Sequence, residues 1–193
     1  AKIASGSVTI SICDAPHTYA NFNNILQRGD LQGRLDACTK KLANIHVEII
    51  DLRREVWIRR EEVVVERRKN TDDPRSYVAL NLGRDSLFYG FHGEGHYYGA
   101  DYDAIVVNEH PQGETQEYLI AGTPMKCDLF INLPKLKTHK KTGITCCLKN
   151  LVGINGDKNW LPHHTEGFPH KGGDEFPAKN LKNTLEGHAK KLG

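Results

Sequence analysis

Val8-Thr9-Ile10-Ser11-Ile12 alternates β-branched and polar side chains, which predicts a strand ending at Cys13-Asp14-Ala15-Pro16-His17. Phe22, Ile25 and Leu26 follow, and then Leu31, Leu35, Cys38 and Leu42 recur at spacings of 4, 3 and 4, a helical stripe. His46-Val47-Glu48-Ile49-Ile50 predicts a second strand, closing at Asp51-Leu52-Arg53. Strand, helix and strand in so short a stretch predict a βαβ unit with parallel strands. Residues 53–80 set Val56, Ile58, Val63-Val64-Val65 and Tyr77-Val78-Ala79-Leu80 among Arg and Glu, the pattern of an exposed antiparallel hairpin, with a turn at Asn70-Thr71-Asp72-Asp73-Pro74.

Further along, Ala104-Ile105-Val106-Val107 reads as a short buried strand, residues 115–121 as a helix, and residues 128–133 as another strand. Thr142 is placed to cap a helix whose apolar face is Ile144, Cys147, Leu148 and Leu151, with Gly153 at its C-terminal cap. After Gly156 a long Gly-, Pro-, His- and Lys-rich loop is expected. The predicted fold is therefore α/β: a single domain over 1–193 with a mostly parallel sheet, helices on both faces, and an antiparallel or irregular insertion or flap around 53–100. The chain starts at Ala1 rather than Met, so it reads as a processed chain or a fragment of a longer protein.

Composition narrows the partners. The apolar fraction of 38% suffices for one core, and no apolar run approaches membrane-spanning length. Residues 135–193 carry 11 Lys and no Arg against 5 Asp and Glu, a local balance of +6. A lobe of lysines without arginine argues against base-reading nucleic-acid recognition and suits a small anionic ligand or an acidic protein partner. The five cysteines include no CxxC pair, so neither a zinc ribbon nor an iron–sulfur cluster motif is encoded in this chain. That usage, with no visible secretory leader, fits a reduced cytoplasmic protein.

Chemistry gathers at the predicted strand ends, where an open α/β sheet binds its ligands. These ends carry Asp14 and His17, Asp51 and Arg53, Asn108, Glu109 and His110, and finally Asn132, Lys135, Lys137 and His139. Lys141, Thr145 and Lys149 would share one face of the predicted helix, with Asn150 beside them. Seven of the ten histidines lie between 92 and 170, and His163, His164 and His139 are candidate metal ligands of a kind that suits zinc, nickel or iron. His92-Gly93-Glu94-Gly95-His96 lacks the HExxH spacing of zinc proteases. Of the adjacent cysteines, Cys147 is expected in the core and Cys146 has no assigned role.

The run Asn132-Leu133-Pro134-Lys135-Leu136-Lys137-Thr138-His139, followed by Thr145 and Lys149-Asn150-Leu151-Val152-Gly153, resembles the family called domain of unknown function 362. Asp14-Ala15-Pro16, Asn155-Gly156-Asp157-Lys158, Leu161-Pro162-His163-His164 and Gly172-Gly173-Asp174-Glu175 extend the likeness. Some relatives carry a fused ferredoxin-type domain, for which this chain has no cysteine pattern. Three functional readings follow. In the first, Lys135, Lys137, Asn132 and Asn150 bind a phosphate or carboxylate, with Asp14, His139 and Lys149 as catalytic groups. In the second, a divalent metal is held by the histidines with Asp14. In the third, the chain is a non-enzymatic redox-partner or assembly module, including one that self-associates. Whether it is an enzyme stays open at this point.

Overall fold

The computed structural model describes residues 6–40, 44–61, 63–98, 103–139 and 141–190. In chain order they form β1 (Val8–Asp14), α1 (Phe22–Arg28), α2 (Leu31–Thr39), β2 (Ile45–Asp51), β3 (Glu55–Arg60), β4 (Val63–Lys69), β5 (Tyr77–Asn81) and β6 (Tyr97–Tyr98). Then come α3 (Ala104–Glu109), β7 (Pro111–Gln112), β8 (Thr115–Ala121), α4 (Gly122–Met125), β9 (Lys137–His139), β10 (Gly143–Thr145), α5 (Cys147–Asn150), β11 (His164–Thr165) and α6 (Leu181–Lys190). The chain divides into two compact units, residues 1–78 with 120–156 and residues 79–119 with 157–193.

In the first unit β1 and β2 pair in parallel, with Val8 opposite Ile45 and Asp14 opposite Asp51. The connection contains α1, capped by the Asn21 side chain accepting the Asn24 N–H at 3.0 Å, and α2. β3 and β4 form an antiparallel hairpin whose register shifts between Ile58 and Arg59. Trp57 on β3 is buried, and the Arg67 guanidinium lies 4.5 Å from its ring centre. Ala15, Ile50, Leu52 and Ala121 make the buried cluster, with Cys13 and Tyr77 packed against it.

The second unit buries Tyr97, Val107, Leu119 and Phe176 together with the amide of Gln116. β6 pairs with β11 and β7 with β8, both antiparallel. A cleft of about 490 Å³ opens beside α6, with His92, His96, His170, Lys171, Phe168 and His188 among its walls.

A mostly parallel sheet flanked by helices is not what forms. Among the described residues β1–β2 is the one parallel pair, and the strands belong to five small sheets of two or three strands. Residues 104–107 are helical, because the Asp103 carboxylate accepts the Ile105 and Val106 N–H groups and caps the turn despite its β-branched content. Residues 115–121 form a strand rather than a helix, with Gln116, Leu119 and Ala121 buried. Residues 128–133 adopt no regular element, and Leu129, Ile131 and Leu133 are exposed. The helix expected over 142–152 breaks into β10, the single turn of α5 and a 3-10 turn at Leu151–Ile154, so Gly153 lies inside a turn instead of capping a helix. Lys141, Thr145 and Lys149 consequently share no helix face. Cys147 is exposed, not core. Leu42 of the helical stripe lies outside the described residues. No helix among the described residues is long and apolar enough to cross a membrane.

Candidate functional site

The parallel pair carries Asp14 and Asp51 to the same end, but the two carboxylates have different surroundings. Asp51 is clamped by Arg53: Nε donates to Oδ1 at 2.9 Å and a terminal nitrogen donates to Oδ2 at 2.6 Å. The Arg53 side chain also donates to the carbonyls of His17, Thr18 and Ala20 at 2.8, 3.1 and 2.9 Å. Arg53 is only 2% exposed, so its planar fork is used up inside the protein and holds the 17–20 loop against the end of β2. The sequence places this pair among the chemical groups; the geometry makes it structural.

Asp14 stands against the turn that closes the second motif. Its carbonyl accepts the Leu52 N–H at 2.9 Å, and the Ala15 N–H donates to Gly153 O at 2.8 Å. A Cβ at position 153 would meet Asp14 Oδ1, the far end of a side chain that can turn aside, while the Ala15 nitrogen would stay at ordinary contact distance. Lys149 and Asn150 lie one turn earlier.

Around α5 the polar groups interlock. Asn132 Nδ2 donates to Cys147 O at 2.9 Å, and Asn150 Nδ2 donates to Asn132 Oδ1 at 2.8 Å. The antiparallel β9–β10 pair sets His139 opposite Gly143 and brings its Nε2 to 3.0 Å from Lys149 Nζ. The Lys141 N–H donates to His139 Nδ1 at 3.2 Å. Lys149 Nζ and His139 Nε2 thus stand within hydrogen-bond distance, with the donor and acceptor roles set by the imidazole tautomer. Asn132 to Asn150 contains five lysines and no Asp or Glu, which adds a positive field. Lys135 and Lys137 are exposed, Lys137 at the start of β9, and neither meets a carboxylate among the described residues.

The metal candidates fall in both units. His139 belongs to the first unit; His163 and His164 belong to the second. The His164 ring stacks on Tyr98 at 5.1 Å, and its Nδ1 lies 3.7 Å from Asp174 Oδ1. The His163 N–H donates to Tyr98 O at 3.2 Å. His110 stacks on Trp160 at 3.5 Å and meets Glu117 at 3.1 Å. Among the described residues no three His, Cys, Asp or Glu side chains come together as a metal site.

Sequence reasoning missed one group and misplaced another. Asp73, read as a turn residue, is buried and accepts from Thr123 Oγ1 at 2.6 Å, from the Thr123 N–H at 2.8 Å and from the Arg75 N–H at 2.7 Å. Cys146 and Cys147 are both exposed, with their sulfurs 4.0 Å apart. Their adjacency is visible in the sequence; their common exposure is not.

The model of the family described as Domain of unknown function (DUF362) matches residues 39–185, well over half of the chain. No curated protein and no solved structure matches it.

Proposed function

The chain belongs to the DUF362 family, whose function is unknown, and we propose that it binds a small phosphate or carboxylate through the His139–Lys149 pair. The observation that carries this reading is the 3.0 Å approach of two nitrogen groups with no acid between Asn132 and Asn150. An anion oxygen accepts from Lys149 and from His139 together, and charge-assisted bonds of that kind are about twice as strong as neutral ones. Lys135 and Lys137 raise the local anion concentration by their field, and the Asn132–Asn150 bond fixes the backbone that presents Lys149. Asp14, held at the turn after α5, supplies the acid/base group of this reading.

Calorimetric titration with inorganic phosphate and with small carboxylates tests it. Lys149→Ala and His139→Ala should each weaken binding at least tenfold, and binding should fall with added salt. Equal affinity in both variants, or no binding of any of these anions by the wild-type chain, would refute the proposal.

A further inference from the structure

Besides the lysine and histidine cluster, the start of α5 and the residue before it carry two thiols to which the anion reading gives no role. From them we infer that Cys146 and Cys147 form a two-thiolate site for a single soft cation, Cu(I) being the probe that fits.

Both residues are exposed and their sulfurs lie 4.0 Å apart. Two thiolates on one metal, each at ~2.3 Å, stand ~3.8 Å apart at a tetrahedral angle and ~4.6 Å apart when collinear, as on a two-coordinate ion. The native separation of 4.0 Å lies between these limits, so a two-coordinate ion needs the sulfurs to open by only about 0.6 Å. A direct disulfide would have to draw the sulfurs in to ~2.05 Å between residues whose α-carbons are ~3.8 Å apart, below the usual disulfide range of ~4.4–6.8 Å. Bridging by a metal suits this geometry better than oxidation does.

The backbone that presents the thiols is held on both sides. Cys146 O accepts the Asn150 N–H at 3.0 Å, and Cys147 O accepts Asn132 Nδ2 at 2.9 Å. Those bonds make the pair pre-organised rather than assembled at the cost of loop entropy. Among the described residues no third ligand joins them, which disfavours a closed four-ligand zinc centre. Thiolate pairs select soft ions, and Cu(I) accepts low coordination numbers. The complex of two thiolates with one Cu(I) carries a single negative charge, and the five lysines of residues 132–150 favour it electrostatically.

Binding is not a redox step. Two S–H bonds lose their protons to solvent and two Cu–S bonds form, with copper supplied and kept as Cu(I).

The test is anaerobic competition against a chromogenic Cu(I) chelator on the full chain. The wild type should withdraw one equivalent of Cu(I), Cys146→Ser and Cys147→Ser should each weaken uptake at least tenfold, and Cys127→Ser should leave it unchanged. Alkylation mapped by peptide mass gives a second readout on the unmutated protein: Cu(I) should protect Cys146 and Cys147 while Cys127 and Cys38 stay reactive. Wild-type uptake in either single serine variant, no uptake by the wild type, or protection of Cys127 alone would overturn the inference. Lys149→Ala abolishes the proposed anion site but leaves both thiols, so persistent Cu(I) uptake in that variant separates the two readings.

Discussion

Two parts of the first unit treat their polar and apolar groups in opposite ways. At the end of β2 and in the 73–77 and 121–123 segments, charged side chains are buried and multiply bonded. Arg53 donates to Asp51 and to three carbonyls, while Asp73 accepts from Thr123 and Arg75. Tyr77 Oη accepts the Asp73 N–H at 3.1 Å and donates to Leu52 O at 3.2 Å. Between residues 129 and 148 the arrangement inverts. Leu133 and Leu148 are 82% and 87% exposed, and lysines and thiols lie open to solvent. The first region turns its polar groups inward; the second leaves lysines and thiols exposed. The difference separates the exposed lysines of the family motif from Arg53 and Asp73, which are buried and multiply bonded.

The largest effect should come from breaking the Arg53 clamp. Arg53→Met keeps much of the stem but takes the guanidinium from the Asp51 carboxylate and from three carbonyls, although the Arg53 N–H still reaches Asp51 and the carbonyls of His17 and Thr18 keep backbone donors. Removing one partner of a buried pair costs about 3–5 kcal/mol. A urea midpoint read against wild type measures it. A loss below about 1 kcal/mol would be the value of an exposed pair and would remove the distinction between the two regions.

A second, smaller effect belongs to the closed region at alkaline pH. Burial is the main reason that the Cys13 thiol is pushed up to about 11 and the Tyr77 hydroxyl to about 12. Their ordinary values are 9.0 and 10.0. Both groups are neutral when protonated, and the folded state holds those protons more tightly than the unfolded state. Their contribution is therefore complete below pH 9 and is lost as pH rises through the folded values. In the second unit, burial likewise pushes Tyr97 up to about 12. The urea midpoint should stay level from pH 7 to 9 and fall by pH 11, and Tyr77→Phe should make that fall shallower. A midpoint that stays level to pH 11 would mean that these groups are as well solvated folded as unfolded.

The contrast between regions also explains what the sequence could disclose. β1 and β2 were legible because alternating β-branched residues and a helical stripe are local signals, and the parallel pairing follows from the connection between them. Ala104-Ile105-Val106-Val107 misleads because its propensity favours a strand while one capping carboxylate, Asp103, decides for a helix. Residues 128–133 were read as a strand from their apolar side chains, yet a strand needs a neighbour to pair with and a layer to pack on, and apolarity alone specifies neither. Of the site, Lys149, Asn150, His139 and Asn132 were named from motif spacing, and the structure brings these four together. The closeness of Asp14 to Gly153 was invisible, because it joins residues far apart in the chain through a glycine whose spacing signals nothing about its partner. His163 and His164 were grouped with His139 by residue type alone. In the structure the first two contact Tyr98 and lie in the other unit.

The smallest predicted effect is the sharpest test of the open region. Leu148 forms the outer side of α5, between Cys147 and Lys149, and is almost wholly exposed. In an isolated chain its side chain gains little from the fold, so Leu148→Ser should shift stability by no more than about 0.5 kcal/mol, as surface substitutions do. A buried leucine cut back in the same way would cost about 2–5 kcal/mol. The urea midpoint of Leu148→Ser thus reports directly whether α5 is open in solution. A loss of 2 kcal/mol or more on that scale would show that another surface covers it, for instance a second copy of the chain, and dilution would then lower the wild-type midpoint. A near-zero change would leave Lys149, Cys146 and Cys147 accessible together on one short turn, which both proposed ligands require.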